Sequence, residues 1–217
     1  MKKSVLIADD HQIFREGLRA LLESQPDINV LGEAENGRTL IKMARQLQPD
    51  LVIIDVAMPE MNGIEAARQI KELGTGTRVL ALSMHSDSRF VTQMLKAGAD
   101  GYLLKDCAFN ELTEAMQTVF QNRVYLSPGI TDLVVKAYLE HAADNAPAHA
   151  TVLTSREREI LQLIAEGKNT LEIAELLNIS GKTVDTHRRQ IMRKLDRYSV
   201  AELTKYAIRE GITVLGG

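Results

Sequence analysis

The sequence predicts two structural units of different class, an open parallel α/β sheet followed by a domain made only of helices. Up to about residue 122, short β-branched and aliphatic runs alternate with segments of helical periodicity, which is typical of repeated βα units. Beyond residue 153 the periodicity is helical throughout. The length of 217 residues and the 45% hydrophobic content provide enough apolar surface for two cores.

Five strands are predicted in the first part of the chain. Four of them are apolar on both faces, which indicates burial between two helix layers and hence a parallel sheet with right-handed crossovers. Five βα units suit the flavodoxin-like strand order, in which ligands bind outside the carboxyl ends of the central strands. The predicted strands are Val5–Ala8, Val30–Glu33, Leu51–Ile54, Val79–Leu82 and Gly101–Leu104.

The segment 123–152 is predicted to be a linker that contains one helix. The helix is predicted from Pro128 to His141, and the stretch 142–150 is small, polar and interrupted by Pro147, as in a flexible connection. The predicted domains are therefore 1–122 for the α/β sheet, 123–152 for the linker and 153–217 for the helical domain.

Four capping sites mark the beginnings of four helices in the helical domain. In three of them a hydroxyl or amide side chain stands three residues before a glutamate, so each side chain can satisfy the other's free backbone N–H. These pairs are Thr154 with Glu157, Asn169 with Glu172, and Ser199 with Glu202. Ser180 can cap the remaining helix, while Gly167 and Asn178 stand where helix ends need a residue that tolerates positive φ.

Net charge differs between the two parts of the chain. Before Thr154 there are 15 basic and 20 acidic residues, giving −5, and after it 11 basic and 9 acidic residues, giving +2. Between Lys182 and Lys194 five basic residues accompany one acidic residue, Asp185. Such a patch attracts a polyanion, and a solvated helix face is the alternative.

The compartment is expected to be the cytoplasm. The apolar run after Ser4 is too short for a signal peptide or a membrane span, so no membrane contact is expected. The single cysteine, Cys107, cannot form an internal disulfide or a cysteine-based metal cluster, which fits a reducing compartment.

Polar side chains end four of the predicted strands, namely Asp9, Asp10, Asp55, Ser83 and Lys105. Because the carboxyl ends of these strands meet at one edge of the sheet, the side chains should converge. The three carboxylates would repel one another unless a hard divalent cation, Mg²⁺ above all, neutralised them. One carboxylate could then attack phosphorus, with the ammonium and hydroxyl as donors to phosphoryl oxygens. For any one of these residues alone, an ordinary turn residue is the alternative.

Several short motifs in residues 4–122 resemble the receiver domain of response regulators. They are Asp9-Asp10-His11, the run from Asp55 to Gly63, Ser83, and Gly101-Tyr102-Leu103-Leu104-Lys105. The resemblance implies that Asp55 accepts a phosphoryl group from a sensor histidine kinase, and that Ser83 and Lys105 bind this group. It implies an Mg²⁺ site made by Asp9, Asp10, Asp55 and the Ala57 carbonyl. Tyr102 is either a switch residue that rotates with the Ser83 hydroxyl or a half-buried aromatic residue.

The third helix of the helical domain is predicted to have an apolar stripe and a cationic face. Val184, Ile191 and Leu195 recur at intervals of seven and four and must face the core. The preceding helix, Thr170–Leu177, ends in a tight turn, so the two helices form a helix-turn-helix whose second helix enters the major groove of double-stranded DNA. The opposite face carries Lys182, Asp185, Thr186, Arg189 and Arg193.

Residues 153–212 resemble the LuxR-type helix-turn-helix, which together with a receiver is typical of NarL/FixJ-type response regulators. The motifs are Leu153-Thr154-Ser155-Arg156-Glu157, Glu172-Ile173-Ala174, Ile179-Ser180, Lys182-Thr183-Val184, His187 and Lys194-Leu195. The resemblance implies that Asp185, Thr186 and Arg189 reach base edges. It implies phosphate contacts for Lys182, Thr183, Arg188 and Lys194. His187 is either a phosphate contact or a satisfied, half-buried histidine.

Phosphorylation is expected to shift an existing equilibrium toward a homodimer with an exposed recognition helix, and RNA polymerase is an expected partner. The last helix, Ser199–Glu210, offers Val200, Leu203 and Tyr206 either to a second copy or to the core.

Two other functions fit parts of the pattern. An aspartyl-phosphate phosphatase would need a general acid beside Asp55, and Val56-Ala57 offers none, so an enzyme is not expected. A DNA-binding scaffold that is never phosphorylated would have no use for the Ser83 and Lys105 donors.

Overall fold

The chain divides into two compact units, residues 1–145 and 146–217. The structure, a computed structural model, describes residues 2–84, 86–106, 109–143 and 153–214. Cys107 and residues 144–152 of the predicted linker lie outside the described residues.

The first unit is a parallel sheet with a helix after each strand, as predicted. Its strands are β1 (Lys3–Ala8), β2 (Ile28–Ala34), β3 (Leu51–Ile54), β4 (Arg78–Ser83), β5 (Gly101–Leu104) and β6 (Tyr125–Leu126). Its helices are α1 (Gln12–Glu23), α2 (Gly37–Leu47), α3 (Gly63–Glu72), α4 (Ser88–Lys96), α5 (Phe109–Phe120) and α6 (Pro128–Ala143). The strand order is β2-β1-β3-β4-β5-β6, and all neighbouring strands are parallel.

The central strands end at the same edge of the sheet: β1 and β3 end level, and β4 and β5 end level with each other two residues further on. Ile54, the last residue of β3, is in register with Ala8 of β1 and with Ala81 of β4. Every residue of β3 is at most 1% exposed, because helices cover both faces of the sheet. The residue that follows each strand therefore leaves a buried, fixed position at the same edge. This edge is also where the chain reverses its direction across the sheet, from β1–β2 on one side to β3 on the other.

The prediction of five strands is wrong by one. Tyr125 and Leu126 form β6, which pairs with β5 inside the segment predicted as a linker. A strand of two residues is too short to produce a readable alternation, so the sequence pattern could not reveal it. The helix predicted after it is confirmed as α6, and β6 and α6 both belong to the first unit.

The second unit contains four helices around one core. They are α7 (Ser155–Ala165), α8 (Thr170–Leu177), α9 (Gly181–Leu195) and α10 (Val200–Arg209). The three predicted capping boxes are present at the beginnings of α7, α8 and α10, and the Ser180 side chain caps α9. Gly167 and Asn178 have positive φ, as predicted.

The predicted apolar stripe of α9 faces this core. Val184 and Ile191 are at most 1% exposed, and Leu195 packs against the same cluster. Leu203 of α10 is fully buried in the cluster, so it packs in the core rather than at the surface, whereas Val200 is 42% exposed. Within the part of the chain that is described, no helix is long and apolar enough to cross a membrane.

Candidate functional site

The predicted acidic residues meet at the carboxyl edge of the sheet. Backbone hydrogen bonds continue the ladder beyond the strands: the Asp55 N–H donates to the Ala8 carbonyl at 2.8 Å, and the Asp9 N–H donates to the Ala34 carbonyl at 3.0 Å. These bonds fix the main chain that carries both carboxylates, and both residues are buried. Asp10 is exposed at the rim. We call Asp9, Asp10, Asp55, Ser83 and Lys105 the acidic pocket.

Lys105 holds the two buried carboxylates together. Its Nζ lies 2.6 Å from Asp9 Oδ2 and 2.7 Å from Asp55 Oδ2, and its side chain is only 5% exposed. The Lys105 N–H donates to the Ser83 carbonyl at 2.9 Å, so the backbone before this side chain is fixed as well. One buried cation thus compensates two buried anions, which could not otherwise be held so close.

A tight turn after β3 positions Asp55. The Gly63 N–H donates to the Val56 carbonyl at 2.9 Å, and a Cβ on Gly63 would lie 2.0 Å from the Asp55 carbonyl oxygen. Only glycine permits this close approach. The Asn62 side chain then caps α3 by accepting from the Glu65 N–H at 2.9 Å. In the turn, the Ala57 N–H points to Asp55 Oδ1 at 3.4 Å.

Ser83 and Tyr102 connect the pocket to the interior of the sheet. Both residues are fully buried, and their hydroxyl groups share a hydrogen bond. Tyr102 is fully buried rather than half-buried, and its role as a switch residue stays a prediction. The hydroxyl of Ser83 lies at the end of β4, next in the sheet to β3, whose end carries Asp55.

Burial and charge set the protonation of the pocket. Burial raises the pKa of the Asp55 carboxyl, and the ammonium of Lys105 acts against that rise. Burial lowers the pKa of Lys105, but the Asp55 and Asp9 carboxylates outweigh it, so the net shift is upward. Burial raises the pKa of Tyr102 to about 12. Lys105 is therefore a cation and Tyr102 a neutral hydroxyl at neutral pH.

Three residues at the beginning of α1, the N-cap residue His11 and two residues of the first turn, belong to the site although no role was predicted for them. His11 Nδ1 lies 3.2 Å from Asp9 Oδ1 and 2.9 Å from Asp10 Oδ1. The Phe14 ring centre lies 4.8 Å from Lys105 Nζ, a cation–π distance. Arg15 Nη1 donates to the Asp9 carbonyl at 2.6 Å. Their spacing in the sequence could have indicated a shared position, because Phe14 and Arg15 follow His11 by three and four residues and therefore lie one helical turn away on the same side.

The second candidate site is the outward face of α9, which consists of Lys182, Asp185, Thr186, Arg189 and Arg193. All five side chains are exposed, as predicted. Two of their contacts stay within the helix: Thr186 Oγ1 donates to the Lys182 carbonyl at 2.9 Å, and Arg189 Nε donates to the Asp185 carbonyl at 3.3 Å. A third joins α9 to α8, where the Thr170 hydroxyl donates to Asp185 Oδ1 at 3.4 Å. We call this set the α9 face. It presents cations and hydrogen-bonding groups to solvent at the width of one helix.

Four other residues predicted to contact DNA have different surroundings. Thr183 is exposed in the first turn of α9, where its hydroxyl lies 2.8 Å from the Ser180 hydroxyl. Arg188 is half-buried and lines a cleft of about 220 Å³ together with Lys168 and Thr170.

Lys194 makes an ion pair at 2.6 Å with Glu157, the buried capping residue of α7. His187 is half-buried, and its Nδ1 has no hydrogen-bond partner among the described residues. Lys194 therefore contributes to the fold, in addition to its predicted contact with DNA phosphate. His187 lacks the full set of hydrogen-bond partners expected of a satisfied core histidine.

Known proteins match both units. Residues 5–117 match the response regulator receiver domain, and residues 151–207 match the bacterial regulatory proteins of the luxR family. The chain is 40% identical over 205 residues to the transcriptional regulatory protein LiaR of Bacillus subtilis, covering 94% of this chain and 96% of LiaR. It is 34% identical over 225 aligned positions to the transcriptional regulatory protein DegU of Brevibacillus brevis, covering 97% and 94%.

Solved structures agree with these matches. RcsB from Salmonella enterica serovar Typhimurium, bound to a promoter in the presence of the phosphomimetic beryllofluoride, superimposes with a TM-score of 0.62 and 29% identity, covering 98% of this chain and 100% of that chain. A LuxR-family response regulator from Aurantimonas superimposes with a TM-score of 0.61 and 32% identity, covering 64% and 99%. The resemblance found in the sequence is thereby confirmed: the chain belongs to the NarL/LuxR family of two-component response regulators, with a receiver domain, a LuxR-type DNA-binding domain and a role in the regulation of transcription.

Proposed function

We propose that Asp55 accepts a phosphoryl group from a sensor histidine kinase, in an Mg²⁺-dependent reaction, and that this phosphorylation controls dimerisation and sequence-specific DNA binding. The observation that carries the proposal is the contact of Lys105 with Asp9 and Asp55 at 2.6 and 2.7 Å, with the exposed Asp10 close by. A buried carboxylate, a buried cation and two further carboxylates at one sheet edge are groups that a phosphoryl-acceptor site needs, and their proximity supports the proposal.

The donor set of the pocket fits Mg²⁺. Asp9, Asp10, His11 and Asp55 each offer a ligand atom, and these atoms lie within 4.8 Å of one another. Three of the four are carboxylates, the ligand type that Mg²⁺ prefers, and the predicted Ala57 carbonyl adds a further oxygen. When bound, the ion would neutralise carboxylate and phosphoryl charge.

In the proposed step a carboxylate oxygen of Asp55 forms a bond to phosphorus. The phosphorus–nitrogen bond of the kinase phosphohistidine breaks, and the imidazole nitrogen keeps the electron pair. Lys105 then moves its ammonium from the Asp55 carboxylate to a phosphoryl oxygen, and the Ser83 hydroxyl donates to another. Tyr102 follows Ser83 as the switch residue, supported by their shared hydrogen bond.

For DNA binding we propose that the α9 face enters the major groove. Asp185, Thr186 and Arg189 would read base edges, supported by their exposure on one side of the helix. Lys182, Thr183, His187, Arg188 and Lys194 would contact phosphates. For Lys194 this requires sharing its ammonium between Glu157 and the DNA.

We further propose a division of labour along the chain. The receiver (1–122) receives the signal, the segment 123–152, whose β6 and α6 pack with the first unit, leads to the second unit, and the helix-turn-helix domain (153–217) binds DNA. A homodimer on activation, RNA polymerase as a partner and a cytoplasmic location complete the proposal. Structures of RcsB dimers bound to DNA support the dimer by analogy. Pairing through α10 would use the exposed Val200, because Leu203 is in the core.

Phosphodonor labelling tests this function. The purified chain is incubated with Mg²⁺ and a small-molecule phosphodonor, and intact mass spectrometry follows the mass of the chain. We expect one added phosphoryl group, lost in Asp55→Asn and on removal of Mg²⁺ by a chelator. Asp132→Asn, which removes an exposed carboxylate of α6, is the matched control and should label like the wild type. Labelling that persists in Asp55→Asn would overturn the assignment.

A further inference from the structure

The sixth strand ties the switch residue Tyr102 to helix α6. Tyr125 and Leu126 of β6 are in parallel register with Gly101 and Tyr102 of β5. The Tyr125 N–H donates to the Asp100 carbonyl at 3.1 Å, and the Ser127 N–H donates to the Tyr102 carbonyl at 3.1 Å. The main chain that begins α6 is therefore bonded directly to the residue whose side chain reaches the pocket.

The beginning of α6 is held firmly against the first unit. The buried Ser127 carbonyl accepts from the Ile130 N–H at 2.9 Å and from the Thr131 N–H at 3.0 Å. Ile130 has no exposed surface, and α6 packs against α4. Pro128 at the first helical position suits a helix that must start at a fixed point. The docked first turn thus depends on β5 through Tyr102 and on α4 through packing.

Both supports of α6 also flank the acidic pocket. β5 carries Tyr102, and the chain that leaves β4 after Ser83 leads into α4. From the pocket outward the contacts run from the Ser83 hydroxyl to the Tyr102 hydroxyl, and from the Tyr102 carbonyl to the Ser127 N–H. Along the chain, α6 is the last described element before the second unit.

We propose that β6 and the first turn of α6 form a positioning and read-out element of the receiver switch. This element holds Tyr102 in place, and phosphorylation of Asp55 strengthens its docking on β5 and α4. The inference rests on the proposed function, because it takes the phosphoryl group on Asp55 as the input.

The single proton of the Ser83 hydroxyl explains why phosphorylation should strengthen the docking. A serine hydroxyl has one proton and two acceptor lone pairs. Once Ser83 donates its proton to a phosphoryl oxygen, its bond with Tyr102 can persist only if the Tyr102 hydroxyl is the donor. The two bonds then point the same way and polarise each other, which strengthens both. Tyr102 is held more tightly, and so is the β6 backbone bonded to it.

Amide hydrogen exchange of the full chain tests the inference. The probe is beryllofluoride with Mg²⁺, and the readout is exchange in peptides covering residues 123–133, followed by mass spectrometry. We expect beryllofluoride to slow exchange of the Ser127, Ile130 and Thr131 amides by about fivefold, the lower end of typical coupling between sites. Tyr102→Phe keeps the ring but removes the hydroxyl, so it should abolish the slowing.

Reciprocity supplies the second readout. If beryllofluoride strengthens the docking of α6 by a given factor, the docking must strengthen beryllofluoride binding by the same factor. Loss of the docking therefore weakens beryllofluoride binding. Ile130→Ala should therefore lower beryllofluoride affinity by about fivefold in a fluorine NMR titration. Val135→Ala, at a 52% exposed position of the same helix, is the matched control and should leave the affinity unchanged. Ile130→Val, which should give a smaller loss of affinity, replaces Ile130→Ala if that variant does not fold.

The results with beryllofluoride distinguish a failure of this inference from a failure of the proposed function. Beryllofluoride that binds and raises DNA affinity without changing exchange in 123–133 would overturn the inference alone. The same holds if Ile130→Ala and Val135→Ala bind beryllofluoride equally. No beryllofluoride binding to the wild type would overturn the proposed function and the inference with it.

Discussion

The acidic pocket draws its side chains from four strand ends and buries most of them, whereas the α9 face takes all of its side chains from one helix and exposes them. In the pocket Lys105 Nζ contacts two carboxylates at 2.6 and 2.7 Å. On the α9 face the hydrogen bonds of Thr186 and Arg189 stay within the helix. The pocket should therefore respond to substitution as a coupled unit, and the α9 face as a set of independent contacts.

The largest expected effect is on the stability of the pocket. Lys105→Met leaves Asp9 and Asp55 buried without their counter-charge, so the free energy of unfolding without Mg²⁺ should fall by about 3 kcal/mol. Urea unfolding measures it. Lys96→Met, at an exposed position of α4, is the control and should cost little. Added Mg²⁺ should restore part of the free energy of unfolding that Lys105→Met loses. Equal losses for Lys105→Met and Lys96→Met would contradict the contrast between the buried and the exposed cation.

The next effect concerns specificity on the α9 face. Arg189→Ala should weaken binding to the target DNA by about 2 kcal/mol and relax the preference for it over other DNA. Lys182→Ala should weaken binding to all DNA and reduce the salt dependence. Fluorescence anisotropy at several salt concentrations separates the two, with Lys205→Ala on α10 as control. The losses of the double variant should add, and strong non-additivity would contradict independent contacts.

A smaller effect should come from Phe14. Phe14→Leu keeps the side chain apolar but removes the ring beside Lys105, so the free energy of unfolding should fall by about 1 kcal/mol. Phe14→Tyr should retain most of it. In a double-mutant cycle the coupling with Lys105→Met measures the interaction itself. If Phe14→Leu costs as much in the Lys105→Met background as in the wild type, the ring does not act through the ammonium.

The smallest expected effect lies between the two kinds of site. Lys194 is partly exposed, so Lys194→Ala should lower the free energy of unfolding by only about 0.5 kcal/mol through its ion pair with Glu157. Lys182→Ala should not lower it.

The Lys194 effect should also depend on pH. Burial acts to raise the pKa of Glu157, but the hydrogen bonds from Lys194 and Thr154 outweigh it, so the pKa is lowered. The stabilisation is then present above the ordinary pKa of a glutamate and is lost as pH falls through the lowered value. Urea unfolding of wild type and Lys194→Ala at neutral and acid pH measures the difference, and a gap that widens in acid would contradict the ion pair.

Much of the pocket could be predicted because strand ends fix positions. Once the central strands are recognised as parallel and buried, the residues after them must share one edge, and Asp9 and Asp55 do lie there. The caps of α7 to α10 could also be predicted, because a helix cap requires only a local residue pattern. These features depend on periodicity and on spacing of a few residues, which a sequence displays directly.

What could not be predicted depends on contacts between distant segments. The two residues of β6 carry no periodicity of their own, and their strand exists only because the edge of β5 is available. The Lys194–Glu157 ion pair joins residues 37 positions apart, so the local sequence around either residue does not indicate it. No role was predicted for Phe14, whose ring faces the Lys105 ammonium although the two residues are far apart in the sequence.

DNA binding and sedimentation of the purified chain with Mg²⁺, before and after addition of beryllofluoride at a stated salt concentration, test whether phosphorylation of the receiver controls dimerisation and DNA binding. We expect tighter DNA binding together with dimer formation, both abolished by Asp55→Ala. Unchanged affinity and an unchanged sedimentation coefficient with beryllofluoride bound at Asp55 would contradict it.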